Sequence, residues 1–105
     1  MLPLRHSLAI AALLMFPLSA ADHAGKASYD KACKACHGAD GAGNPAIAKM
    51  LKVTLKDLGG AEVQGKSDAD IKKDITVGSG KMKPVTALSA KQVDEVVGFV
   101  RTLKK

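Results

Sequence analysis

The chain has 105 residues, a formal net charge of +6, 47% hydrophobic and 3% aromatic residues, two cysteines and no tryptophan. That length allows one domain, and the shortage of aromatics excludes a core built on large flat side chains. The positive charge comes from lysines spread along the whole chain, with Arg101 the one arginine beyond residue 21 and no aromatics interleaved. This is not a nucleic-acid-binding pattern. Most of these lysines read as a solvated surface, and the rest suit transient docking to an acidic protein.

The first segment reads as a leader. Arg5 precedes the apolar run "SLAIAALLMFPLSA", and Ser19-Ala20-Ala21 fits a small-x-small cleavage site. Residues 1–21 are therefore expected to be a secretory signal peptide, cut after Ala21 in preference to Ala20. The run falls short of the roughly 20 residues of a spanning helix, and Pro17 interrupts it. No membrane span is expected after cleavage, and the protein is expected to be exported to the periplasm, an oxidising compartment. The single domain is then residues 22–105. A core of that size usually needs a metal, a disulfide or a bound group.

Residues 26–36, "KASYDKACKAC", favour helix and place Tyr29, Cys33 and Cys36 on one face. "GADGAGNP", 38–45, is a loop. Residues 46–52 suit a short helix with Ile47, Met50 and Leu51 on one side, while 53–66 fit no single pattern. Ser67 is an N-cap, with Asp68 and Asp70 in the first turn of "DADIKKDITV", which Gly78 ends. "GSGKMKP", 78–84, is a loop between helices. Ser89 and Gln92 form a capping box, and Leu88 can staple to Val93. Val93, Val96, Val97, Val100 and Leu103 follow at helical spacing, with Arg101, Lys104 and Lys105 toward the negative end of the helix dipole. No segment alternates with period two, so the fold class is all-α.

The only cysteines lie in Cys33-Lys34-Ala35-Cys36-His37. On a helix the two thiols share a face and can each add to one vinyl group of a haem, while the imidazole four residues beyond Cys33 points the same way toward the iron. C-x-x-C-H is the signature of c-type haem attachment, and a proximal histidine is a standard axial ligand. Other chemistries use parts of this pattern. A thiol-disulfide centre normally opens a helix after a strand, and no strand precedes these cysteines. A zinc site needs a fourth ligand, for which only His23 or a carboxylate is at hand. A plain structural disulfide makes the histidine a bystander.

An iron that only passes electrons is served best by six ligands in both redox states, and a methionine thioether raises the potential. Met82 sits in the loop "GSGKMKP", whose glycines and Pro84 can hold a side chain against a flat face. Met50 lies on an amphipathic segment and reads as a core filler. His23 is a further conceivable ligand near the N-terminal end of the domain.

In order along the chain, "GKASYDKACKACHGADGAGNP", "GSGKMKP" and "ALSAKQVDEVVGFVRTLKK" resemble the class I cytochrome c family of the short bacterial kind. The resemblance implies about four short helices around one covalent haem c, with the first and last helices crossing, Gly25 and Tyr29 meeting the last helix near Phe99. It implies thioether links at Cys33 and Cys36, His37 as proximal and Met82 as distal iron ligand, and a Pro45 carbonyl that accepts the imidazole N–H. Two departures stand out. No tryptophan is available near a propionate, and Lys83 separates Met82 from Pro84, where many relatives have proline directly after the methionine.

The function expected is one-electron transfer by a monomer, not an enzyme, between acidic redox-partner proteins such as a reductase, an oxidase or a photosynthetic complex. Lys34, Lys49, Lys81 and Lys83 flank the expected haem contacts and are the candidates for steering. The alternatives are a haem enzyme or gas sensor with a labile distal ligand, or a C-x-x-C thiol-disulfide protein. Because haem would supply the apolar disc the side chains lack, the chain without it is expected to be largely unfolded.

Overall fold

The computed structural model describes residues 20–105. The expected leader lies outside them, apart from Ala20 and Ala21, which are helical. Six helices follow among the described residues: α1 (Ala20–Ala32), α2 (Lys34–His37), α3 (Pro45–Leu51), α4 (Ala61–Gln64), α5 (Asp68–Val77) and α6 (Ala90–Thr102). Two of these, α2 and α4, are single turns, which leaves four longer helices as expected. The one β-feature among the described residues is an isolated bridge between Ser79 and Met82.

The core is built where α1 lies against α6. Gly25 permits the contact, because a Cβ at that position would overlap the Glu95 carbonyl and stand 3.0 Å from Phe99 Cβ. One turn later the rings of Tyr29 and Phe99 meet, with centroids 5.0 Å apart and tilted by 47°. Around them are buried Val93, Val96, Val97 and Val100 of α6, Ile71 and Ile75 of α5, and Cys33, Val63 and Leu88. The valine pattern of α6 thus finds its partner in α1, as the 3.6-residue period requires.

The helix ends follow local chemistry. Ser67 Oγ accepts from the Asp70 N–H, and Asp68 and Asp70 occupy the first turn of α5. Ser89 and Gln92 close both halves of the capping box of α6, and Leu88 and Val93 on either side of that cap are both buried. Asn44 caps α3 and Pro45 takes its first position, where the missing N–H costs nothing.

Two expectations are corrected. The helix over 26–36 is not continuous: Cys33, with φ −124° and ψ −33°, leaves helical geometry and separates α1 from α2. The amphipathic reading of 46–52 also fails, because α3 has no buried residue, and Met50 is 67% exposed. Met50 is therefore not a core filler. Hydrophobic spacing alone could not show that no residue of α3 is buried.

The α1–α6 contact makes a direct prediction. Gly25→Ala in the haem-loaded protein should force the helices apart and cost about 1–3 kcal/mol, the usual penalty for overpacking, read as a lower denaturation midpoint. Gly98→Ala, on α6 with open space where its Cβ would stand, should leave that midpoint unchanged or raise it.

Candidate haem-binding site

The break at Cys33 sets the two thiols apart. Cys33 is buried, Cys36 is exposed, and they are not bonded to each other. Burial, with Cys36 adding to it, pushes the Cys33 thiol up to about 11. His37 closes α2 and opens a loop held by backbone bonds on every side. Its N–H donates to the Cys33 carbonyl (3.0 Å), its carbonyl accepts from Gly43 N–H (2.8 Å), and Asn44 N–H donates to the Cys36 carbonyl (2.8 Å). Asn44 works twice more: Nδ2 donates to the Ala35 carbonyl (3.2 Å) and Oδ1 accepts from Ala46 N–H (3.0 Å). Gly38, Gly41 and Gly43 all have positive φ, which is why the loop is glycine-rich.

The His37 imidazole is half-buried, and burial lowers its pKa, which favours the neutral ring that binds metals. Nδ1 is fully enclosed and has no hydrogen-bond partner. Pro45 stands exposed at the head of α3, and the expected bond between this nitrogen and its carbonyl is not made in this structure. An open groove of about 300 Å³ beside α3 is lined by Gly43, Pro45, Ala48, Val53 and Leu55 among others, but not by Cys33, Cys36, His37 or Met82.

Met82 is presented by a tight turn after α5. Ser79 N–H donates to the Met82 carbonyl (3.0 Å) and Met82 N–H to the Ser79 carbonyl (2.9 Å). Gly78 has φ 93°, and a Cβ there would stand 2.7 Å from the Met82 carbonyl oxygen. Met82 itself packs, partly buried, against the core cluster that contains Cys33. Lys81 Nζ donates to the Leu51 carbonyl at the end of α3 (3.2 Å), tying the two loops together. The fold thus brings Cys33 and Met82 to one core. His23 lies in α1. Among the described residues no group of three or more His, Cys, Asp or Glu is placed to hold a metal ion.

A family model described as Cytochrome c matches residues 23–104. The chain belongs to the class I cytochrome c family. The solved c-type cytochrome KustC0563 is similar at 32% identity and a TM-score of 0.66, over 77% of this chain and 98% of that one. No curated protein matches. The fold is that of this family, and the cofactor is covalently bound haem c. The residues present fit it: the cysteines are not bonded to each other, and burial lowers the His37 pKa and so favours the neutral imidazole that binds metals. Among the described residues of this cytochrome, no helix is long and apolar enough to cross a membrane.

Sequence reasoning missed the roles of the Tyr29 hydroxyl, Asn44 and Lys81. Asn44 was legible, since Asn before Pro is an N-cap followed by the favoured first helical residue. The other two depend on contacts across loops.

Tyr29 is the only tyrosine, which makes its ionisation directly visible. Its phenol is pushed up to about 12, first by burial and then by Cys33, Asp40 and Asp30. In the unfolded chain it ionises near the ordinary value of about 10. Its contribution to stability is therefore whole below pH 10 and is lost as pH rises from there through about 12. Spectrophotometric titration of the haem-loaded protein should show the phenolate band well above pH 10, raised by burial, absent in Tyr29→Phe, and near pH 10 in denaturant.

Proposed function

We propose that this cytochrome is a single-electron carrier whose haem is thioether-linked to Cys33 and Cys36, with His37 and Met82 as iron ligands. The Pro45 carbonyl, not bonded to His37 in this structure, would accept from His37 Nδ1 in the haem-loaded protein. When bound, the haem supplies a ferrous–ferric couple. The observation that carries the reading is the seating of Met82 on the core that holds Cys33, by a turn whose glycines set its backbone. With His37 and Met82 both bound to it, the iron would have no open position for a reacting molecule. That separates a carrier from a haem enzyme or a gas sensor, and we assign no catalysis. The enclosed His37 Nδ1 asks for an acceptor, and Pro45 begins the helix one residue after Asn44, whose backbone is bonded to Cys36.

The remaining residues set access. Met50 and Val77 are 67% and 62% exposed, and Leu51 37%. Lys34, Lys49, Lys81 and Lys83 are exposed, and none pairs with a carboxylate among the described residues. Exposed lysines free of carboxylate partners, together with exposed apolar side chains, suit brief, salt-sensitive docking to acidic redox proteins such as a reductase, an oxidase or a photosynthetic complex. The leader over 1–21 supports export to the periplasm, and the protein acts as a monomer.

Two measurements test this. Expressed with haem-attachment machinery, the protein should keep its haem through denaturing extraction. It should also show the ferric methionine–iron charge-transfer band, lost in Met82→Ala and kept in Met50→Ala. A band that survives in Met82→Ala would remove Met82 from the site. Changing the four lysines to Gln should slow association with an acidic redox partner and flatten its salt dependence, with little change in dissociation. Unchanged association would dismiss the steering role.

A further inference from the structure

Tyr29 is fully buried in the α1–α6 core, yet its hydroxyl reaches out of it. The O–H donates to the carbonyl of Gly38 at 2.6 Å, the residue directly after His37. That carbonyl also accepts, more weakly, from Gly41 N–H at 3.3 Å. Gly38 has φ 80° and ψ 166°, an orientation of its peptide that the helix before it does not impose. The N–H of Gly38 donates back to the Lys34 carbonyl at 2.8 Å. The two peptides flanking Gly38 are therefore both held, the one from His37 by the α2 turn and the one that follows by the tyrosine. The Tyr29 ring is enclosed by the whole α1–α6 core, with Phe99 as one contact among several, and that enclosure fixes where the hydroxyl stands. The helix crossing and the histidine are linked through one phenolic oxygen, and a phenylalanine would fill the core equally well without that link.

We infer that Tyr29 is a positioning residue for His37, fixing the orientation of its imidazole by holding the Gly38 carbonyl from the helix-crossing core. The inference rests on the reading of His37 as an iron ligand. It separates two roles of one side chain, the ring packing the helices and the hydroxyl setting the ligand. With the hydroxyl removed, the Gly38 carbonyl keeps its Gly41 donor, so Tyr29→Phe folds, and the 37–44 loop relaxes.

The test compares haem-loaded wild type, Tyr29→Phe and Phe99→Leu. Phe99→Leu disturbs the same ring packing but keeps the hydroxyl bond. In the ferric state, proton NMR reads the hyperfine-shifted ring protons of His37 and the order of the haem methyl resonances, both of which report imidazole orientation. Tyr29→Phe should displace these signals, and amide exchange at Gly41 and Gly43 should quicken roughly three- to tenfold relative to the α6 amides, the worth of one hydrogen bond. Phe99→Leu should lower the melting temperature while leaving the signals in place. Signals in Tyr29→Phe that match wild type, or move no more than those of Phe99→Leu, would overturn the inference. A wild type with no hyperfine-shifted His37 ring protons would instead refute the ligand reading itself.

Discussion

The close approach of α1 and α6 is the constraint from which the other contacts take their position. It depends on Gly25, whose missing side chain lets the Glu95 carbonyl come against α1. With the backbones this near, Tyr29 and Phe99 stack at 5.0 Å, and the valine face of α6 is buried in full. An aromatic pair adds about 0.5–1.5 kcal/mol beyond its burial. In a chain with three aromatic residues among its 105, that pair and the glycine set the register in which the valine face of α6 packs. The same contact delivers Cys33 to the core, since it follows Tyr29 by one helical turn, while the bend at Cys33 leaves Cys36 at the surface.

The far end of α6 organises the segment that has the least regular structure. Arg101 is the hub: Nη1 donates to the Gln64 carbonyl (2.9 Å), Nη2 to the Lys66 carbonyl (2.6 Å), and Nε to Asp68 Oδ1 (2.9 Å). Gln64 Nε2 in turn donates to the carbonyls of Leu58 and Val100. Lys105 N–H donates to the Gly59 carbonyl (3.0 Å). Residues 58–67 contribute one buried apolar side chain, Val63, so their backbone carbonyls need partners from elsewhere. A guanidinium can serve two carbonyls and a carboxylate from one planar group, which an ammonium on a flexible stem cannot. The exposed pairs Lys26–Asp30 and Lys56–Glu62 add little by comparison.

What was legible in the sequence was local. Ser67, the Ser89–Gln92 box, the valine spacing of α6 and the stop at Gly78 each depend on neighbours within one or two turns, and each stands as read. The family resemblance added Gly25 and Tyr29 opposite Phe99, because three separated stretches kept their order. Apart from the Asn44 cap and the bend at Cys33, the missed features join residues more than one turn apart or rest on a neighbour's absence. Arg101 reads as a C-terminal cation favouring the helix dipole, yet its donors go across the fold to 64–68. Met50 reads as core because it recurs at helical spacing, yet α3 packs no face against the other helices. The bend at Cys33 has no breaker residue to announce it, since the stretch is rich in Ala and Lys, both good helix formers.

The Met82 turn shows how a departure from the family pattern is accommodated. Many relatives place proline directly after the methionine, and here Lys83 intervenes. The turn does not depend on that neighbour. It is closed by the paired bonds of Ser79 and Met82 and by Val85 N–H donating to the Ile75 carbonyl at 2.8 Å, and it turns through Gly78 and Gly80, both at positive φ. Pro84 still takes part from one residue further on. A Cβ on Gly78 would stand 3.0 Å from the Pro84 ring and 2.7 Å from the Met82 carbonyl oxygen, so glycine, proline and methionine occupy one tight cluster. Lys83 lies outside it with its side chain exposed, which frees that position to carry charge. The paired backbone bonds and glycines, not the residue after the methionine, hold the turn that carries Met82, and the added lysine joins the exposed cations beside Lys81.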